Sequence, residues 1–396
     1  MAAVRKTDIR TLPTKIHTVD SSVHAPAGHD NGGHLKTISI ATHHAEFGGI
    51  VGSGTTHSLL LSMSDSSSTP LFHTACVHLP AQDELYTTSR PLKSSTSQGP
   101  VVLIQRIKLS RDADSGYIES LEWQKLRPPP NMAMPAGGVL VPPKPESADG
   151  SKADTILFCS QGNLSPGSGG IFLMPRGERP IPCVTSYHGK AFNSPYGATV
   201  HKDWSVWFTD PSIGYEGDFR DQPMLPSQVY RYDPSSGDVR AMADGFQRPV
   251  GIAVDGARGR VYISDAGSGD FSPAGQAETG LSFLQALTGS SARETGVVSG
   301  TASIYAFDLV ELDGSPFLIN RRLFAFAAEG VPTQLNCDDA GNIWAACGDG
   351  VEVWSPGGSL LGVIKVPGGA TSFCRGKNGE LFVCAGKELW CIYLRG

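Results

Sequence analysis

The chain repeats one short strand pattern six times, and this repeat constrains its fold more than any other feature. A second element precedes the copies and is clearest as Pro135-Ala136-Gly137 and Pro195-Tyr196-Gly197. Six copies of a strand pair indicate a closed ring of similar units. Each copy pairs an aliphatic with an aromatic residue, and the copies are Leu85–Thr88, Leu157–Ser160, Val206–Thr209, Val261–Ser264, Ile343–Ala346 and Leu381–Cys384.

The repeat predicts one large domain rather than the two or three that 396 residues would suggest. Forty-seven glycines and twenty-eight prolines fit short antiparallel strands joined by turns. We therefore predict an all-β fold, a six-bladed β-propeller with four-stranded antiparallel blades, over residues 36–396. Residues 1–35 are polar and rich in His, Gly and Ser, so we expect a flexible N-terminal arm there.

Charge and cysteine usage restrict the partners and the compartment. The net charge is -6 without a Lys/Arg tract, which argues against nucleic acid and an anionic membrane surface and favours small organic ligands. The N-terminus has no apolar stretch after its basic residues, so we expect a soluble, cytoplasmic protein. Eight cysteines without a CxxC pair indicate reduced core residues rather than a nucleophile or a zinc site. The oligomeric state is left open.

One rim of the ring is predicted to carry the function. Gln161, Asp210 and Asp265 end second strands, and these ends lie on the same rim as the Pro-x-Gly elements because the two strands are antiparallel. Two long connections leave this rim, at about 211–228 and 266–301. The second contains an apolar stretch around Phe283 and predicts either a lid or a variable surface insertion.

Several longer motifs resemble the gluconolactonase, regucalcin and fungal lactonase family of six-bladed propellers. The resemblance covers nearly all of the chain past residue 45 and implies the same fold. The stretches that carry it are Phe158–Asn163, Gly170–Pro175, Phe192–Pro195, Val206–Pro211, Gln228–Pro234, Ala243–Pro249, Pro70–Pro80 and Gly348–Gly362.

The resemblance also implies a divalent cation at the centre of the propeller, held by a Glu, two Asn positions and Asp residues. This sequence has Thr74, Tyr196-Gly197, Val250 and Thr333 at those places, and none of them matches. A hard cation needs several oxygen ligands, normally including carboxylates. We therefore expect no metal and no cofactor, and a family hydrolase would lose its Lewis acid.

The predicted pocket is neutral and partly apolar, which suits a bulky ligand with few oxygen atoms. For two polar candidates a structural role competes, since Asp265 could cap a turn and Arg375 could lie on the surface. The mouth ring is predicted as Thr74, Ala136, Tyr196, Val250, Thr333 and Ser372, with His73, Gln161, Asp265, Gln334 and Arg375 as nearby polar groups.

A metal-free branch of this family resembles the pattern: the fungal hetero-Diels–Alderases that join a tropolone quinone methide to a humulene-type sesquiterpene. Such an enzyme gains by holding two partners in one orientation and by donating hydrogen bonds to the tropolone oxygens. The predicted donors are Tyr196, Gln161, Thr333 and Arg375, the acid or base that assists loss of water is His73 or Asp265, and the terpene side is shaped by Val250, Ala136 and the stretch with Phe283.

Two alternatives remain open. The first is a lactone hydrolase with a metal site rebuilt from neighbours such as Asp265 and Asp210. The second is a non-catalytic propeller that binds a small molecule or a protein. The sequence contains no GxSxG, P-loop, GxGxxG or HExxH motif, so no other catalytic class has a local signature.

Overall fold

The computed structural model describes residues 9–19, 37–63, 69–94, 99–142, 154–267 and 302–396. Six of its sheets each contain the four antiparallel strands of a blade, which run in chain order from the innermost to the outermost strand in five blades, while an N-terminal strand completes the sixth. The predicted six-bladed β-propeller with four-stranded antiparallel blades is confirmed. Within the described ranges, no helix is long and apolar enough to cross a membrane.

The N-terminal elements lie on the outside of the last two blades. Their bounds are β1 (Thr11–Pro13), β2 (Lys15–Thr18), β3 (Ser39–Thr42), α1 (Ala45–Val51) and β4 (Thr56–Ser62). β1 pairs with β4, and β2 pairs in parallel with β3. His57 accepts or donates at both ring nitrogens, with Thr14 Oγ1 at 2.8 Å and Thr37 Oγ1 at 2.7 Å. Residues 9–19 of the predicted arm are therefore paired to the propeller.

The first three blades follow each other along the chain. Blade 1 contains β5 (Thr74–Leu79), β6 (Glu84–Thr88), β7 (Ile104–Arg111) and β8 (Ile118–Leu126). Blade 2 contains β9 (Pro135–Val141), β10 (Thr155–Gln161), β11 (Gly169–Pro175) and β12 (Ile181–Val184), followed by the hairpin β13 (Ser186–Tyr187) and β14 (Lys190–Ala191). Blade 3 contains β15 (Ala198–Val200), β16 (Val206–Asp210), then the short helix α2 (Ile213–Glu216), β17 (Gln228–Asp233) and β18 (Asp238–Ala243).

The ring is closed by pairing an N-terminal strand with the last blade. Blade 4 contains β19 (Pro249–Asp255), β20 (Arg260–Asp265), β21 (Ser303–Leu312) and β22 (Ser315–Phe326). Blade 5 contains β23 (Gln334–Cys337), β24 (Ile343–Cys347), β25 (Gly350–Trp354) and β26 (Leu360–Lys365). Blade 6 contains β27 (Ser372–Arg375), β28 (Glu380–Ala385) and β29 (Glu388–Tyr393), and β4 supplies its fourth strand.

Each predicted strand copy lies in the second strand of a blade and packs against the next blade. Trp207 of blade 3 shares a core cluster with Ile252 and Ile263 of blade 4. Trp344 of blade 5 packs in the same way with Phe373 of blade 6. A fully buried aromatic side chain contributes about 2–3 kcal/mol by burial alone. The repeated aromatic residue therefore joins five of the blades to the next one, whereas in blade 2 Leu157 packs on blade 3 and Phe158 packs on blade 1.

Candidate active site

A repeated backbone hydrogen bond fixes which residues face the rim of the propeller. The N–H groups of His73, Tyr196, Thr333 and Thr371 donate to carbonyl oxygens in the last two residues of the second strands, those of Thr88, Thr209, Ala346 and Cys384, at 2.8, 3.0, 2.9 and 2.9 Å. Ala136 and Val250 follow Pro135 and Pro249, which pair with Ser160 and Asp265 at the same strand ends. We call His73, Ala136, Tyr196, Val250, Thr333 and Thr371 the rim ring.

The structure places four of the predicted ring residues, Ala136, Tyr196, Val250 and Thr333, at the rim-ring position and the other two one residue further along their strands. Thr74 and Ser372 are not at the rim-ring position, because they follow His73 and Thr371 along their strands. Both instead line a central cavity together with Gly137, Gly197 and Gly251, which follow the ring residues of blades 2 to 4. Blades 1 and 6 have no Pro-x-Gly element, so the sequence offered no marker for their register.

The central cavity is too small for the bulky ligand that the sequence suggested. The volume available to the centres of water-sized molecules is about 40 Å³. One water needs roughly 10–15 Å³ on that measure. The cavity, which Tyr196, Thr333 and Thr371 of the rim ring also line, therefore accommodates a few waters.

The polar groups around the cavity brace neighbouring blades against each other. Thr333 Oγ1 donates to Thr371 O at 2.8 Å, and Gln334 Nε2 donates to Phe373 O at 2.9 Å. Ser372 Oγ donates to Gln334 Oε1 at 2.5 Å. Thr74 shares a hydrogen bond of 2.6 Å with the Thr88 hydroxyl of its own blade, and Thr88 Oγ1 donates to Ala136 O of blade 2 at 3.1 Å. These side chains hold blade to blade, and their hydrogen-bonding groups are used in doing so.

His73 and Tyr196 are the two ring residues whose polar groups sit in a charged environment. Both are buried, with exposed fractions of 5% and 7%. Burial and the positive charge of Arg90 lower the pKa of His73 to about 3, so its imidazole is neutral. Burial raises the pKa of Tyr196 to about 12, against the opposing field of Arg90 and Arg248, so its phenol is protonated. His73 Nδ1 is buried without a hydrogen-bond partner among the described residues.

Arg90 and Arg248 were missed by the sequence analysis. Arg248 directly precedes the Pro249 element, and its guanidinium pairs with Glu216 of α2 at 2.5 Å. Arg90 lies two residues after β6, and its backbone N–H donates to Pro70 O at 3.1 Å. Each of these arginines directly precedes a proline, Pro249 or Pro91, and this is a signal that the sequence contains. The other Pro-x-Gly elements do not share it.

The predicted rim acids and Gln161 clamp backbone rather than facing a ligand. Asp265 accepts the N–H groups of Gln247, Arg248 and Gly267 at 2.8 to 3.0 Å. This is the turn-capping role that competed with a catalytic one. Gln161 donates through Nε2 to Met134 O at 3.3 Å.

The repeat in blade 2 is shifted by one residue from its predicted position. Ser160 pairs with Pro135 as Asp265 pairs with Pro249, so Ser160 takes the place of that carboxylate. Ser160 Oγ donates to Ala133 O at 2.6 Å. Gln161 therefore lies one residue beyond the position that its alignment with Asp265 predicted.

An apolar cluster covers part of the rim ring. Ala136, Tyr196 and Val250 pack with Ile213 of α2, with Ala266 and with Val331. The first long connection is fixed in place, because the Arg220 side chain donates to Asn193 O at 3.0 Å and to Asn163 O at 3.0 Å. Phe283 and most of the second predicted lid, 268–301, lie outside the described residues.

Arg375 does not belong to this site. It is the last residue of β27 and pairs with Leu381 at the start of β28, three residues further along the strand than Ser372. At roughly 3.3 Å per residue, that places it about 10 Å towards the opposite rim. Its guanidinium lies 4.7 Å from the Trp344 ring centroid and its side chain is 47% exposed. Arg375 therefore lies on the surface, which was the alternative considered for it from the sequence.

The donor set does not fit the divalent cation of the lactonase-like propellers. In the described part of the chain, no group of three or more His, Cys, Asp or Glu residues is arranged to hold a metal ion. The ring has no carboxylate, and Val250 is fully buried. Asp210 and Asp265, the acids considered for a rebuilt site, accept backbone N–H groups. These residues therefore offer no ligand set for a hard divalent cation.

Comparisons with known proteins agree with this fold. No family model matches the chain. Over 212 residues it is 26% identical to a gluconolactonase of Zymomonas mobilis, covering 51% of each protein. Over 171 residues it is 30% identical to the lactonohydrolase oryH of Aspergillus oryzae, covering 43% of this chain and 33% of that protein.

The chain thus spans about half or less of the length of these curated relatives. A solved gluconolactonase structure from Xanthomonas campestris superimposes with a TM-score of 0.61 at 22% identity, covering 90% of this chain and 95% of that one. The chain is therefore similar to gluconolactonases and lactonohydrolases, and it shares the six-bladed propeller fold of a gluconolactonase.

Proposed function

We propose that this protein is a lactonase-type enzyme that opens a cyclic ester at the rim site formed by His73, Tyr196, Arg90 and Arg248. The observation that carries the proposal is that a neutral imidazole and a protonated phenol are both buried in the rim ring and both lie in the field of the Arg90 guanidinium, with Arg248 acting on the phenol as well. The gluconolactonase and lactonohydrolase names of the relatives support the reaction class. The substrate is a small molecule.

Tyr196 would polarise the substrate. Its O–H donates to the carbonyl oxygen of the lactone, and the positive field of Arg90 and Arg248 stabilises the oxyanion that develops there. Water adds to the carbonyl carbon and the ring C–O bond breaks. The water proton ends on the released alkoxide, and the product is a hydroxy acid. A single preorganised donor of this kind is worth roughly 10²- to 10³-fold in rate.

His73 would orient the attacking water. Its pKa of about 3 makes it a weak base, far from the value near the working pH that favours proton transfer. Polarisation of the carbonyl must therefore supply more of the rate than proton abstraction. The buried Nδ1, which has no described partner, gives His73 a ring nitrogen that a ligand or a water can satisfy.

A second candidate is the hetero-Diels–Alder reaction between a tropolone quinone methide and a humulene-type olefin. The observation that favours it is the apolar part of the rim, where Ala136, Val250 and Ile213 pack beside Tyr196. Cycloaddition needs a polarised carbonyl and two partners held in one orientation, and no group with a pKa near neutrality. Tyr196 would then donate to the tropolone oxygen.

Product analysis of the purified protein distinguishes these candidates. We would assay a panel of aliphatic and aromatic five- and six-membered lactones, with and without a chelator, and a tropolone quinone methide precursor with humulene. Turnover of a lactone that survives the chelator and is lost in Tyr196→Phe would support the lactonase proposal. Arg375→Ala is the matched control, because that side chain lies towards the other rim.

Other outcomes overturn the lactonase proposal. Dihydropyran formation above the uncatalysed rate, without lactone turnover, would replace it with the cycloaddition. Lactone turnover that disappears with the chelator would show a metal-dependent reaction at a different donor set. Ligand binding without turnover of any substrate would identify a non-catalytic binding propeller.

A further inference from the structure

Two cysteines face each other across the seam where the propeller ring closes. Cys76 lies in β5 of blade 1 and Cys374 lies in β27 of blade 6, and their sulfur atoms are 3.4 Å apart. This is a contact between thiols, whereas a disulfide bond is roughly 2.05 Å long. Small movements of two side chains would therefore bring the sulfurs to bonding distance.

The surrounding contacts hold the two sulfurs at the same height in the seam. Cys76 follows Thr74 by two residues and Cys374 follows Ser372 by two, and both Thr74 and Ser372 line the central cavity. The Cys76 backbone N–H donates to Ser372 Oγ at 3.1 Å, which ties the two strands together beside the sulfurs. The register of the seam thus positions this pair.

We propose that Cys76 and Cys374 form an oxidation site, at which a hydroperoxide converts the two thiols into a disulfide that links the first and last blades. The peroxide oxidises the Cys374 thiol to a sulfenic acid and is reduced to water. The Cys76 thiol then attacks that sulfur, and a second water leaves as the S–S bond forms. Two thiols and one hydrogen peroxide therefore give one disulfide and two waters.

The order of the two steps follows from access. Cys374 is half-buried, whereas the exposed fraction of Cys76 is 2%. The oxidant therefore reaches Cys374 first, and Cys76 acts as the resolving thiol. Burial raises the pKa of both thiols well above the ordinary value, so the thiolate is scarce and the reaction is slow. The pair stays reduced until it meets sustained peroxide.

The link would matter because the ring is otherwise closed without a covalent bond. Blade 6 is completed by β4, and its seam with blade 1 is held by packing, hydrogen bonds and ion pairs. A bond between residues 76 and 374 encloses almost the whole propeller in one covalent loop. Such a loop constrains the unfolded chain strongly, so the oxidised protein is expected to melt at a higher temperature.

The test is a disulfide map of the native full-length protein. The protein is incubated with hydrogen peroxide, its remaining thiols are blocked under denaturing conditions, and peptides are analysed by mass spectrometry with and without reductant. We expect a peptide pair that joins Cys76 to Cys374, a mass loss of two hydrogens, and a higher Tm that dithiothreitol reverses. Cys374→Ser should lose the linked pair and the shift in Tm.

Cys159→Ser is the matched control, because this buried thiol lies in blade 2, away from the seam, and its loss should leave both results unchanged. The proposal is overturned if peroxide produces only sulfinic or sulfonic acids. It is also overturned if Cys76 or Cys374 pairs with Cys384 or Cys391 of the same core cluster instead, or if Cys374→Ser keeps the rise in Tm.

Discussion

Asp210 and Asp265 occupy equivalent positions in neighbouring blades and accept hydrogen bonds from equivalent backbone segments. Asp210 accepts the N–H groups of Asn193 and Ser194 at 2.9 and 2.7 Å, and Asp265 accepts those of Gln247 and Arg248 at 3.0 and 2.8 Å. Each pair of donors immediately precedes the proline of a rim element. The two aspartates therefore fix the backbone that leads into Tyr196 and Val250.

We predict that Asp210 makes the stability of the protein fall between about pH 4 and pH 7. Burial raises the pKa of Asp210 to about 7, against the two backbone N–H groups and the charge of Arg220. Because this lies above the unfolded value, the folded state holds the proton more tightly. The contribution of protonated Asp210 to the free energy of unfolding is fully present below about pH 4. It is lost as the pH rises through 7, by roughly 1.4 kcal/mol for each pH unit in that window.

Asp210→Asn should flatten this part of the pH profile, measured by urea unfolding between pH 4.5 and 7.5. The amide cannot ionise, although it leaves one backbone N–H without an acceptor, which costs about 1–3 kcal/mol at every pH. Glu178→Gln is the control, because it removes one carboxyl from an exposed turn. An unchanged slope in Asp210→Asn would show that another group titrates there.

The sequence was sufficient to predict the architecture because the blade repeat is local. All six strand copies lie in second strands, and in five of them the aromatic residue packs on the next blade, whereas Phe158 of blade 2 packs on blade 1. Ring closure by β4 was not predicted, because its partner β29 lies at the other end of the chain. Nothing in the residues 56–62 alone marks that pairing.

The site was less predictable because it depends on single-residue registers. A bulge lets two residues oppose one, so a shift by one residue decides which side chain of each first strand takes the rim-ring position. The Pro-x-Gly element fixed this at Tyr196 and Val250, whereas Thr74 was placed one residue beyond His73. Arg375 was predicted as a polar neighbour of the mouth ring, with a surface position as the alternative, and it lies three residues beyond Ser372 at the far end of β27.

We predict that Tyr196→Phe lowers kcat/KM on the lactone substrate by roughly 10²-fold or more, the loss of one oxyanion donor. Phenylalanine keeps the contacts with Ile213 and Val250 in the apolar cluster. Stability, followed as Tm, should therefore change little, which separates a catalytic from a structural role. A fall in Tm that accounts for the lost activity would contradict the role given to the phenol. Steady-state kinetics and thermal melts on the same preparation give kcat/KM and Tm for both proteins.

Gly137→Ala is predicted to destabilise the joint between blades 2 and 3. The added methyl carbon would stand 2.3 Å from Tyr196 O, to which the Gly137 N–H donates at 2.8 Å. Since backbone lies in the way, the strands must move apart, at a cost of about 1–3 kcal/mol or more. Gly48→Ala in α1 is the matched control, because its methyl group meets nothing within 4 Å. That change should stabilise slightly, by about 0.5–1 kcal/mol, as alanine favours helix. Equal effects of the two changes on chemical denaturation would refute the packing argument.

Arg111 is predicted to be the most important ion-pairing residue at the closing seam. Its Nη2 lies 3.0 Å from Asp83 Oδ1 of blade 1 and 2.9 Å from Glu380 Oε2 of blade 6. The Glu380 side chain is 1% exposed, so Arg111→Met leaves a buried carboxylate without its main counter-charge. Removing one partner of a buried pair costs about 3–5 kcal/mol.

The surface pair Arg322–Asp308 provides the comparison for Arg111, because its atoms approach to 2.7 Å while both side chains are at least one-third exposed. Arg322→Met should cost about 1 kcal/mol or less, since water and salt screen an exposed pair. The measurement is urea unfolding of both variants at low and high salt. A similar loss in the two variants would mean that blade packing, and not the Arg111 network, holds the first and last blades together.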